Sequence, residues 1–166
     1  MRIMSSDTSN NMFIIIVGES SLFKWFHETF CDLLLGKRDC FLHFRRLSSR
    51  DKRRLEDFYE RDLYKHIERF EVVEIYVLKK SFRNSSQAIL RIFRREIQAF
   101  KPDKIVLPTD FNNLIKSFIK KFVRFTGVKP IIDNSSYPVQ VSDILINLYR
   151  RIRNPIFFPK AKIYTI

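Results

Sequence analysis

Four carboxylates stand where the chain passes from an apolar run into a turn or a helix. Glu19 follows the run 13–17 in FIIIVGESS, and Asp110 follows KIVLP at 104–108. Asp133 closes KPIID at 129–133, and Asp143 lies in the first turn of the last helical stretch. In a parallel sheet the C-terminal strand ends share one rim, where ligands bind. Carboxylates that meet there repel one another unless a cation offsets them. Hard oxygen donors suit Mg²⁺ or Mn²⁺, and a pair of such ions can hold a phosphodiester for in-line attack by water. Each acid also has an ordinary structural use. Asp110 is a good N-cap before FNN, Asp143 gains from a helix dipole, and Asp133 suits the turn before NSSYP. Only their shared placement points to a site, with Glu19, Asp110 and Asp143 as catalytic metal ligands and Asp133 in support. His27, His43 and His66 are scattered, so a histidine-based centre is not expected. His43 alone is a candidate to steer a phosphate or carry a proton.

Composition narrows the chemistry. Three Gly in 166 residues, with no GxGxxG and no Walker-type run, exclude most nucleotide-cofactor enzymes. The formal net charge is +13 and the isoelectric point about 10, which concerns partners rather than fold. Nucleic acid, DNA or RNA, is the first partner expected, and an anionic membrane surface the second. Four basic clusters carry the charge. They are Arg45, Arg46, Arg50, Lys52, Arg53 and Arg54; Arg91, Arg94 and Arg95; Lys116, Lys120, Lys121 and Arg124 as one helical stripe; and Arg150, Arg151 and Arg153. Some pair with Asp51, Glu56, Asp57 and Glu60, but there are too few acids to pair them all. Such contacts bind backbone phosphates without reading sequence, and they weaken with salt. No apolar run approaches the roughly 20 residues of a spanning helix, and the N-terminus lacks a signal-peptide core, so an intracellular, cytoplasmic protein is expected. Cys31 and Cys40 form no CxxC pair and read as free, partly buried thiols. Scarce Gly and Ala with abundant Ile, Phe, Lys and Arg fit an AT-rich genome, that of a thermophile, archaeal, or of its virus or mobile element.

The elements that must position these residues follow from hydrophobic period. There is no internal repeat, low-complexity tract or linker. Residues 1–11 are polar and expected to be disordered, and 12–153 form one domain. Residues 13–17 are a strand buried on both faces. Residues 22–35 fit a helix ending at Gly36, with a strand as the alternative. CFLHF at 40–44 reads as a short strand. Ser48 or Ser49 caps a helix over 50–69, and strands follow at 71–79, 104–108 and 129–133. Helices are expected at 85–100, 111–125 and 139–152. The apolar tail 154–166 is expected to dock as an edge strand, or onto a protein partner or a second copy of the chain. Alternation of strand and helix in the second half makes this an α/β protein.

Two blocks resemble a known family. CFLHFRRLSSRDKRRLEDF, 40–58, is similar to a segment of the family catalogued as domain of unknown function 3800. DNSSYPVQVSDILINLYRR, 133–151, resembles that family's late motif, with Gln140, Val141, Ser142 and Asp143 in its "Q-apolar-AD" positions. VGESS resembles the family's opening DESG. The resemblance implies an RNase H-like fold, a mixed sheet flanked by helices, and a nuclease whose acidic positions fall on Glu19, Asp110 and Asp143. A Rossmann-like parallel three-layer sandwich, sensing a small anionic ligand, is the alternative. The directions of the first three strands separate the two. Where the family carries acids this chain has Gly18 and Phe41. A catalytically inactive nucleic-acid-binding or scaffold protein within a larger nucleoprotein complex is therefore the alternative function.

Overall fold

In the computed structural model, which describes residues 1–166, the chain opens with a hairpin. Strand β1 (Arg2–Ser9) pairs antiparallel with β2 (Met12–Glu19) through a two-residue turn at Asn10 and Asn11. Asn10 has a φ of 52°, a left-handed conformation that Asn tolerates and that tight hairpins require. The expectation of a disordered 1–11 is therefore corrected. This segment is the central strand of the sheet, and its serines are satisfied internally. Ser6 Oγ donates to the Ile14 carbonyl, and Ser5 Oγ accepts from Ser142 Oγ. Polar composition was read as solvent exposure, whereas these hydroxyls find partners inside.

The sheet runs in the order β5-β4-β1-β2-β3-β6. β3 (Val72–Val77) is antiparallel to β2, while β4 (Lys104–Leu107) and β5 (Ile131–Ile132) continue parallel from β1. Three antiparallel strands followed by a parallel pair on the far side of β1 define an RNase H-like fold and exclude the Rossmann-like alternative. β6 (Lys162–Thr165) adds to β3 in parallel, so the apolar tail docks on its own sheet as an edge strand. The domain thus runs past both ends expected for it, 12 and 153.

Strand alternation sorts the core into two layers. Met12, Ile14 and Ile16 face α1 (Ser20–Leu35), α2 (Ser49–Arg61) and α6 (Tyr137–Ile152). Phe13, Ile15 and Val17 face α3 (Ser86–Phe100), α4 (Asp110–Leu114) and α5 (Phe118–Thr126). Residues 22–35 are helical, closed by Gly36 at a φ of 64° as the C-cap. Ser48 caps α2, its hydroxyl accepting from the Asp51 N–H. Three expectations are corrected. CFLHF forms no strand; it is an irregular approach to a short 3₁₀ turn at Phe44–Arg46. The helix over 50–69 ends at Arg61 and continues as 3₁₀ turns, and the helix over 111–125 breaks at Ser117, which is left-handed. No helix is long and apolar enough to cross a membrane.

Gly18 is held by packing rather than by a turn. A Cβ there would stand 2.6 Å from Phe70 Cδ1, whose ring is itself wedged against Phe23 and Phe26. Gly18→Ala is expected to destabilise the fold by about 1–3 kcal/mol, the usual range for overpacking. A chemical denaturation midpoint equal to that of the parent would contradict this.

Candidate metal centre

Three carboxylates converge where β1 and β4 end. β1 and β4 run side by side with Ser5 opposite Val106. Asp7 and Asp110 therefore leave the sheet at the same rim, Asp110 as the first residue of α4. Odd positions of β1 face α6, and Ser5 and Ser9 meet Ser142 and Asn147 there. That packing brings Asp143, one residue after Ser142, over Asp7.

Each acid is fixed by its neighbours. Asp7 is 3% exposed; its Oδ1 accepts the Thr8 N–H at 2.7 Å, and Asp110 lines the same hollow beside it. Asp143 Oδ2 accepts the Phe44 N–H at 2.8 Å, and Oδ1 accepts Asn147 Nδ2 at 3.0 Å. Asn147 is held in turn by Ser9 Oγ and Arg150. Burial pushes the Asp7 carboxyl well above the usual carboxylate range, and the charges of Asp143 and Asp110 push it further, against the Thr8 N–H. Asp143 is raised by burial and by Asp110, while the Phe44 N–H, His43 and Arg45 oppose the rise.

Two adjoining hollows open onto the cluster. One, of about 410 Å³, is lined by Thr8, His43, Arg45, Asp110, Asp143 and Asn147. The other, of about 200 Å³, reaches Asp7 past His43 and Arg46. His43 Nδ1 lies 3.9 Å from Asp143 Oδ2, buried and without a hydrogen-bond partner. The donor set fits a hard divalent cation: three carboxylates, no thiol, and a buried acid whose ionised form is disfavoured by burial and by its acidic neighbours. Asp7, Asp110 and Asp143 are the residues that would hold it.

The expected residues divide accordingly. Asp110 and Asp143 come together. Glu19 does not join them, because β2 is antiparallel and delivers it opposite Arg2. Arg2 is five residues, about 17 Å of strand, from Asp7. Glu19 is instead bonded to the Met1 amino group at 2.8 Å. Asp133 also lies outside; it is exposed and accepts the Ser135 N–H as a turn residue. Asp7 was missed. Its signal was the spacing itself, two eight-residue segments about an Asn-Asn turn, with Ser5, Asp7 and Ser9 on one face.

The basic residues divide too. Arg45 and Arg46 stand at the hollows. Lys116 lies in the break between α4 and α5, so the single stripe expected for Lys116, Lys120, Lys121 and Arg124 is interrupted. Lys116 and Lys121 instead line a third hollow with Arg83, joined to the first through Asn113 and Leu114. Arg50 and Arg53 are exposed on α2. Arg54 is engaged by the Leu33 carbonyl and Asp51, Arg151 by Glu56, and Arg150 by Asn147. Cys31 and Cys40 are not free thiols; they form a disulfide.

No family model matches the chain. A search of curated proteins finds no match either. Among solved structures, a chain of the PCNA:RNase HII complex from Archaeoglobus fulgidus is similar in fold. The TM-score is 0.47 and the identity 11%, covering 91% of this chain and 73% of that one.

Proposed function

We propose that this chain is an RNase H-like nuclease dependent on Mg²⁺ or Mn²⁺, with Asp7, Asp110 and Asp143 as its metal-holding residues. The observation that carries the reading is the buried carboxylate of Asp7 among two others at one sheet rim, beside hollows that His43, Arg45 and Arg46 help to line. Bound there, the ion would polarise a phosphodiester and make a water more acidic. The chain's own residues do the positioning. The Phe44 N–H and Asn147 orient Asp143, and the Thr8 N–H orients Asp7. His43, with a free ring nitrogen beside the cluster, is placed to hold a phosphate oxygen or pass a proton. Arg45 and Arg46 on one side and Arg83, Lys116 and Lys121 on the other are set to bind the strand that enters. Kinship with the family of domain of unknown function 3800 is part of the same proposal, on Gln140, Asp143 and the helix that carries them. The correspondence at VGESS is not, since Glu19 lies at the far end of the sheet.

The test is cleavage of end-labelled single- and double-stranded DNA and RNA with and without Mn²⁺. Cleavage is expected only with the metal, and Asp110→Asn is expected to lose it while keeping salt-sensitive binding. Metal-dependent cleavage retained in Asp110→Asn would sink the site. Binding without cleavage by the parent chain would favour the non-catalytic reading.

A further inference from the structure

His27, Cys31 and Cys40 form a second reactive cluster, away from the carboxylates. His27 and Cys31 lie four residues apart on one face of α1, and both are fully buried. Cys40 is half-buried and lines a hollow of about 720 Å³, beside Phe41 and Tyr137. The hydrogen bonds define the imidazole. Gln140 Nε2 donates to the Ser135 carbonyl at 2.6 Å, so Gln140 Oε1 is the atom that meets the Leu42 N–H at 2.6 Å and His27 Nε2 at 2.9 Å. An amide oxygen only accepts, so His27 Nε2 carries a proton. In the neutral ring Nδ1 is then bare, and Cys31 Sγ lies against the ring, 3.7 Å from Nδ1 and 3.8 Å from Nε2.

The segment tied down by Cys40 is also the one that holds Asp143. Residues 37–43 have no regular secondary structure. Beyond the disulfide, they are fixed by the Leu42 N–H on Gln140, by the Phe44 N–H on Asp143 one residue on, and by the burial of the Leu42 and Phe44 side chains in the core. We propose that Cys31–Cys40 is a thiol–disulfide exchange site for dithiol reductants, and that its redox state sets how firmly residues 40–44 hold Asp143. The second part rests on the metal-site reading above.

The chemistry balances as follows. A reductant thiolate approaches through the hollow and bonds to Cys40 Sγ, the accessible sulfur. The Cys31–Cys40 bond breaks, and its electron pair goes to Cys31 Sγ, which takes up a proton beside the His27 ring. The reductant's second thiol, as thiolate, attacks its own sulfur in the mixed disulfide, and Cys40 leaves as a thiolate that is protonated by water. The dithiol is oxidised by two electrons and the cystine is reduced by two. The segment 40–44 loses its covalent tie.

The full chain would be titrated with dithiothreitol without denaturant, with free thiols counted by alkylation. Amide hydrogen exchange at Leu42 and Phe44 and Mn²⁺ calorimetry would follow on the oxidised and reduced forms. Both sulfurs are expected to reduce under native conditions, with exchange at the two amides roughly tenfold faster and Mn²⁺ binding weaker. Cys40→Ser, which leaves the buried Cys31 in place, is expected to behave like the reduced protein. A disulfide that resists reduction until the chain unfolds overturns the proposal, as does unchanged exchange at Leu42 and Phe44 after full reduction. Faster exchange with no Mn²⁺ binding in either state upholds the redox tie and overturns the metal reading instead.

Discussion

Asp7→Asn is expected to abolish divalent-cation binding and, in the same molecule, to make the metal-free protein more stable. Asp7 is buried beside two carboxylates with no cation in contact, so its ionised form is disfavoured in the folded state. Between the ordinary carboxylate range and that raised value, the folded chain keeps a proton that the unfolded chain has released. Stability must therefore fall as pH rises through this window, and it is fully present only below it. Asn keeps the shape. Its carbonyl oxygen can still accept the Thr8 N–H, and it brings no charge to the side of Asp110 and Asp143. At pH 8 the variant is expected to gain about 1–3 kcal/mol over the metal-free parent, with a flatter pH profile. Mn²⁺ should do the converse. It raises the parent's melting temperature, by about 2.7 kcal/mol of stability at a hundred times its Kd, and leaves the variant unmoved. Thermal unfolding from pH 5 to 8, with and without Mn²⁺, reads both effects. A variant that binds Mn²⁺ like the parent, or that is less stable at pH 8, would show that Asp7 is a structural carboxylate.

Phe13→Ala is expected to be the most damaging single change to the fold. Phe13 is fully buried near the start of β2, stacked on Tyr76 with ring centroids 4.8 Å apart. Phe93, Phe111 and Phe82 surround it at 6.0, 6.1 and 6.5 Å. Removing the ring leaves a cavity that four aromatic neighbours cannot all collapse into, for a loss of about 3–5 kcal/mol. That is a large part of the 5–15 kcal/mol typical of a whole domain. The effect should reach the site, because Phe111 follows Asp110 in α4 and packs on the same ring. Folded Phe13→Ala protein is therefore expected to bind Mn²⁺ more weakly than the parent. Urea unfolding checks the first expectation and calorimetry the second. A loss under 1 kcal/mol would mean that the aromatic layer repacks.

By itself the sequence determined the class of fold and the position of most helices. Those features rest on local periodicity: Leu22, Phe23, Phe26 and Phe30 recur at helical spacing in α1, and Ile14 to Val17 are apolar at every position because both faces of β2 are covered. It also singled out Asp110 and Asp143. Asp110 opens α4 as expected, whereas α6 begins at Tyr137, so Asp143 lies in its second turn rather than its first. What it did not reveal was set by partners distant in the chain. β1 reads as polar, yet Ser5 and Ser9 find their partners on α6, some 137 residues away, and no local pattern records that. Glu19 looked like a strand-end ligand because the end of a strand is legible while its direction is not. One antiparallel pairing with β1 sent it to the opposite rim. Cys31 and Cys40, nine residues apart, read as thiols until the turn after Gly36 brought them together. Only the tertiary structure decided which carboxylates meet, because a strand's direction and a helix's packing partner are fixed by the whole core.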